Sequence, residues 1–134
     1  MDRSLQELAW RRAGHRCEYS QTPQSCDPVP FEIDHIIAES HAGKTVASNA
    51  CPCCFACNRH KGPNIAGIDP KTRKIVPLFN PRRHKWARHF QWDGPVLIGQ
   101  TPNGRATIRV LKINLDYRVG FRQELIEEGV FPPA

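Results

Sequence analysis

The sequence predicts an α+β fold, on three observations. An apolar helical repeat follows a capping pattern at the N-terminus, a strand, loop, strand, helix order runs through residues 31–61, and strand-like alternation beyond residue 88 precedes apolar residues at four-residue steps. Composition supports a folded unit: 40% of the 134 residues are hydrophobic and 24% are charged, close to globular usage. No apolar run approaches the ~20 residues of a membrane span, so no membrane partner is expected. The length fits one domain, residues 1–134, with one main core. A formal net charge of +6 favours polyanionic partners. Met1 to Leu5 has no apolar run behind its charges, so no secretory signal and a reducing, cytoplasmic location are expected.

Taken in order, Ser4-Leu5-Gln6-Glu7 has the form of a capping box and predicts a helix over 5–13, with Gly14 placed to stop it. Residues 15–30, with Pro23, Pro28 and Pro30, read as a loop. Phe31 to Ile37 alternates and is rich in branched residues, which predicts a strand; Ser40 to Ser48 is a long loop, and 49–53 a second strand. Residues 54–61 wind into a short helix that Gly62-Pro63 ends. Asp69-Pro70-Lys71-Thr72 is a turn, and Asn80-Pro81 pairs an N-cap with proline to start a helix over 81–88. Phe90 and Trp92 lie on a strand. Val96–Gln100 and Arg105–Lys112 flank Thr101-Pro102-Asn103-Gly104 as a hairpin, and Tyr117, Phe121 and Leu125 mark a C-terminal helix ahead of Gly129.

The residues that carry chemistry form an ordered set: Asp34-His35, then Asn49, then Cys54-Phe55-Ala56-Cys57-Asn58-Arg59-His60-Lys61-Gly62. On these residues the sequence resembles the HNH endonuclease family, in particular its small members with a Cys-x-x-Cys-Asn-x-x-Lys-Gly element, and the likeness runs on through Pro63 to Pro70. The resemblance implies a ββα-metal (His-Me finger) core at about 15–63, flanked by the N-terminal helix and by a C-terminal α/β extension over 64–134 containing a hairpin and a helix. It implies a metal-dependent DNA endonuclease or nickase, hydrolysing phosphodiester bonds to leave a 5′-phosphate. His35 would be the general base, Asn49 its orienter, and Asp34 and Asn58 the ligands of Mg²⁺ or Mn²⁺. The residue types suit those roles, since imidazole titrates near neutrality and carboxylate and amide oxygens are hard donors. Adjacent residues of a regular strand point to opposite sides, so Asp34 and His35 converge only if the strand end is bent.

Four of the cysteines, Cys51, Cys53, Cys54 and Cys57, crowd into one short stretch, which suits a metal better than a disulfide framework. Relatives pair an early Cys-x-x-Cys with the later one around structural Zn²⁺; here the early element reads Cys17-Glu18-Tyr19-Ser20, and Ser20 replaces an expected thiolate. The resemblance therefore implies zinc on Cys17, Cys54 and Cys57, with Cys26 the first choice for a fourth ligand and His15, Cys51 or Cys53 behind it. The alternative is a buried thiol cluster that has lost its metal. Between Asn80 and Trp92, cations lie among aromatics, so Arg82, Arg83 and Lys85, together with Lys61, are candidates for phosphate contacts; the alternative is that Trp86, Phe90 and Trp92 are core. Competing functions are a non-catalytic zinc-stabilised nucleic-acid-binding module and, ranked last, a redox or zinc-storage protein. DNA is the expected partner. Either a monomer or a homodimer is compatible, a symmetric dimer being the easier route to two cuts on opposite strands.

Overall fold

The computed structural model describes residues 1–133. Helix α1 (Arg3–Arg12) starts ahead of the expected capping box because Asp2, not Ser4, is the N-cap: its Oδ1 accepts from the Leu5 N–H at 2.9 Å. The helix ends as Gly14 enters the left-handed region at φ +64°, while the Gly14 and His15 N–H groups donate to the Arg11 and Trp10 carbonyls at 3.1 and 3.0 Å. The following segment is a loop, closed by an antiparallel bridge between Arg16 and Pro23 and a 3₁₀ turn at Gln24–Cys26.

Strands β1 (Glu32–His35) and β2 (Ala50–Cys53) pair antiparallel, with Asp34 opposite Cys51 and His35 opposite Ala50. Helix α2 (Phe55–Lys61) follows directly, capped by the Cys54 sulfur, which accepts from the Cys57 N–H at 3.4 Å, and ends at Gly62 with φ +51°. The strand, loop, strand, helix order is as the sequence reads it, with shorter strands.

In the C-terminal half, β3 (Ala66–Ile68) and β4 (Ile75–Pro77) pair around a turn held by Asp69. That carboxylate also takes two bonds from the Arg105 guanidinium, at 2.9 and 3.0 Å. The helix expected over 81–88 is only one turn, α3 (Trp86–His89). Asn80 does cap, its Oδ1 accepting from the Arg82 N–H at 2.9 Å, but its own N–H donates to His84 Nδ1 at 3.0 Å and closes a separate turn. Strand β5 (Phe90–Asp93) pairs with β6 (Val96–Gly99) around Gly94.

The hairpin expected at 101–104 is not there: Pro102–Val110 is helix α4. The Thr-Pro-Asn-Gly signal is a helix start, with Thr101 Oγ1 accepting from the Gly104 N–H at 3.0 Å and proline in the first turn. Gly104 lets α4 approach α3, since a Cβ there would lie 2.3 Å from the His89 carbonyl oxygen. Helix α5 (Asp116–Glu127) is present, but its buried face carries Arg118, Arg122 and Leu125, and Tyr117 is 64% exposed.

The core runs through both halves of the chain, joining Tyr19, Phe31 and Ile36 to Leu78, Phe90 and Ile113. Phe90 is buried, and Trp86 and Trp92 pack half-buried against this core, so the aromatics of the basic segment serve packing. Their indoles donate to the Tyr19 carbonyl and to Gln21 Oε1, both at 2.9 Å, fastening the extension to the 17–22 loop. Among the described residues, no helix is long and apolar enough to cross a membrane.

Candidate functional site

The loop from 36 to 49 leaves the end of β1 and returns into β2, and Asn49 fixes its course. The buried amide accepts from the Ile37 N–H at 2.8 Å and donates to the Ile37 and Lys44 carbonyls, both at 2.9 Å. Only a side chain with adjacent donor and acceptor can make this pattern. All three bonds go to loop backbone and none to the His35 ring, so any orienting effect on the histidine passes through the loop. The group that meets the ring is Thr45, whose hydroxyl and the His35 Nε2 are hydrogen-bonded at 2.8 Å; Glu39 Oε1 lies 3.8 Å from the same nitrogen. Thr45 was not marked by any motif.

On the other side of β1, period-two alternation presents Glu32 and Asp34 to α2, where Asn58 and Lys61, three apart, share a face. The Asn58 Nδ2 donates to Glu32 Oε2 at 3.0 Å, and the Lys61 ammonium donates to Asp34 Oδ2 and to the His35 carbonyl, both at 3.3 Å. Lys61 is therefore not the outward phosphate contact expected of it: its side chain is 2% exposed and is spent beneath Asp34. Burial pushes the Asp34 carboxyl above its ordinary value, against the opposing charge of Lys61 and the His35 backbone N–H. Asp34 thus faces α2 while His35 faces the 39–45 loop. Glu32 was missed by the sequence reading, although its place two residues before Asp34 on the same strand face is a signal that points to it.

Behind this frame, Cys17, Cys54 and Cys57 are buried with their sulfur atoms all within 4.8 Å of one another. The Ser20 N–H donates to Cys17 Sγ at 3.5 Å, matching the bond from the Cys57 N–H to Cys54 Sγ. Two equivalent turns therefore present sulfur to a common point. The donor set suits a soft-seeking ion such as Zn²⁺. Cys26 is not part of it: the residue is only half-buried in the 3₁₀ turn, and its sulfur lies 4.0 Å from Ser25 Oγ. His15 is exposed, and Cys51 and Cys53, though buried, lie outside the three-sulfur group. Burial raises the Cys51, Cys53 and Cys57 thiols. At Cys17 burial is outweighed by hydrogen bonds from Cys53, Cys54 and Cys57, which take it below the ordinary value.

The cluster has a fourth member that no motif marked. The Arg118 guanidinium, 5% exposed, donates to Cys57 Sγ at 3.0 Å and to Cys54 Sγ at 3.6 Å. Burial alone would lower its pKa; Cys57 and Cys54 more than compensate and hold it above the ordinary value.

The basic segment divides. Arg82 turns inward to an ion pair with Glu18 and is 14% exposed, so it is not the phosphate contact expected of it; Glu18, itself buried, needs a cation. Burial, followed by the nearby Arg12, brings the Arg82 pKa down to about 10. Arg83 and Lys85 are exposed, as is Arg88. A cleft of about 280 Å³ is lined by Ile37, Lys61 and Asn64 together with Arg83 and His84, so Arg83 borders the same opening as Lys61. Residues 15–64 match the family model described as HNH endonuclease. No curated protein and no solved structure matches the chain.

Proposed function

With an HNH endonuclease domain over residues 15–64 as the premise, we propose that the chain is a metal-dependent DNA endonuclease or nickase built on a ββα-metal core, with residues 1–134 acting as one domain. The observation that carries this reading is the strand, strand, helix frame that sets Asp34 of β1 and Asn58 of α2 on facing elements, with His35 next along β1 and its ring on the opposite side, under the family match. Asp34 and Asn58 would hold Mg²⁺ or Mn²⁺. Their donors fit a hard cation: Lys61 engages one Asp34 oxygen, leaving the other, and Asn58 spends its NH₂ on Glu32, leaving its carbonyl oxygen. An ion held by these two residues would supply positive charge against that building on the scissile phosphate and on the departing oxygen.

With the Nε2–H directed to the Thr45 hydroxyl, the tautomer this role requires of the 2.8 Å contact, His35 would take a proton from water at Nδ1. The water oxygen bonds to phosphorus as the bond to the 3′-oxygen breaks, and the departing oxygen takes a proton from solvent, leaving a 3′-hydroxyl and a 5′-phosphate. Asn49 keeps the 37–44 loop, and with it Thr45, in place. Cys17, Cys54 and Cys57 would hold structural zinc, which would fix the start of α2.

A time course on supercoiled plasmid tests this, using chelator-treated protein with and without Mg²⁺ or Mn²⁺. Wild type nicks or linearises DNA only with metal, and His35→Ala lowers the rate by about 10²–10⁴-fold, the usual worth of a general base, while DNA binding persists. Metal-dependent cutting that survives His35→Ala would remove His35 from this role. A non-catalytic, zinc-stabilised nucleic-acid-binding module has one observation in its favour, the Lys61 ammonium already seated on Asp34 where a metal would compete with it. Binding of DNA without cutting under any metal selects that reading.

A further inference from the structure

Arg118 is a buried cation without a carboxylate: among the described residues no Asp or Glu pairs with it. Its donors are nonetheless used. One terminal nitrogen donates to the Leu111 and Lys112 carbonyls at 2.9 and 3.3 Å, at the negative end of α4, and the other to Cys57 and Cys54. A guanidinium taken out of water needs an opposite charge close by, and the only acidic groups at its tip are thiols. Three neutral thiols supply none. Three thiolates around a divalent ion carry a net charge of −1, which one guanidinium cancels, whereas a four-thiolate centre carries −2.

The fourth corner is neutral as well. Ser20 occupies the position where a second cysteine of the early turn is expected, and its hydroxyl lies 3.8 Å from Cys54 Sγ and 3.0 Å from Thr22 Oγ1. We propose that this is a three-thiolate metal centre completed by the C-terminal helix: Ser20 leaves the fourth corner uncharged, and Arg118 balances the remaining charge while tying α5 to the α2 knuckle. The inference rests on the zinc reading above and adds to it a positioning residue 61 positions from Cys57, outside the family match.

Zinc per chain, competition with a chelator and the Co²⁺-substituted absorption spectrum test the proposal on wild type, Arg118→Met, Arg118→Lys and Ser20→Cys, each purified without added metal. Wild type carries one zinc and gives a three-thiolate Co²⁺ spectrum. Arg118→Met weakens zinc binding about ten-fold or more, as loss of a group bonded to metal ligands does, and Arg118→Lys recovers part of it. Ser20→Cys converts the Co²⁺ spectrum to the four-thiolate form. If Arg118→Met does not fold, the lysine variant and Ser20→Cys still decide. Zinc-free wild type overturns both the zinc reading and this inference. Zinc present with unchanged affinity in both Arg118 variants, or a four-thiolate spectrum already in wild type, overturns this inference alone.

Discussion

Asn49 makes its three side-chain bonds to backbone groups of Ile37 and Lys44, so what it controls is the shape of the loop that delivers Thr45 to His35. Asn49→Ala would remove three part-buried bonds, leaving the Ile37 N–H and the Ile37 and Lys44 carbonyls short of a partner, at a cost of about 1–3 kcal/mol. Urea unfolding should show that loss, and cleavage should fall with it because Thr45 is no longer held. A variant with unchanged stability would show that the loop is held by other contacts. The identity of this residue was legible in the sequence through the order Asp34, His35, Asn49, Asn58, but its partners were not. Motif spacing says which side chains recur on one frame; it does not say that Asn58 turns to Glu32 or that Lys61 turns inward to Asp34. Arg118 and the Glu18–Arg82 pair were out of reach for a different reason, since each joins residues some sixty positions apart and nothing local marks an arginine for burial.

Among elements, those specified by local chemistry were legible: Gly14 and Gly62 stop their helices, and β1, β2 and α2 follow in the expected order. Thr101-Pro102-Asn103-Gly104 was ambiguous because cap residues and turn residues are the same types, and the choice fell to tertiary contacts. One of those contacts is Asp69, which joins the β3–β4 turn to α4 through Arg105. Arg105, aided by Thr72 and the Lys71 N–H, holds the Asp69 carboxyl well below its usual range. A carboxyl whose pKa is lower folded than unfolded adds stability above its unfolded value of about 3.9, and that stability is lost as pH falls through the folded value. Asp69→Asn should therefore lower the urea midpoint near neutral pH and flatten its acid limb, so that the two proteins begin to converge only below about pH 4. A constant difference between them down to the lowest pH at which both fold would mean that the carboxylate charge is not what joins the elements.

At the scale of the whole molecule, the net charge of +6 overstates what a polyanion meets, because Arg118 and Arg122 are buried with no carboxylate partner among the described residues, whereas the Arg82–Glu18 and Arg105–Asp69 pairs cancel within themselves. Arg83, Lys85 and Arg88 are exposed and line one shallow opening, and Arg83 also borders the cleft; all three are carried by the extension on a segment that Trp86 and Trp92 pin to the 17–22 loop. Under the nuclease reading the extension is then the second wall of a DNA path, with the catalytic frame as the first. Each phosphate neutralised on duplex DNA contributes about 0.9 to the slope of log affinity against log salt, so replacing all three with Gln should reduce that slope by about 3 and weaken binding irrespective of sequence. Arg82→Gln should behave differently, lowering the unfolding midpoint through the stranded Glu18 while leaving the salt slope intact. Fluorescence anisotropy over a salt series on a duplex longer than the protein's footprint distinguishes the two. An unchanged slope in the triple variant would move the DNA path off this segment, whereas a slope reduced equally by Arg82→Gln would show that the Glu18 pair opens when DNA binds.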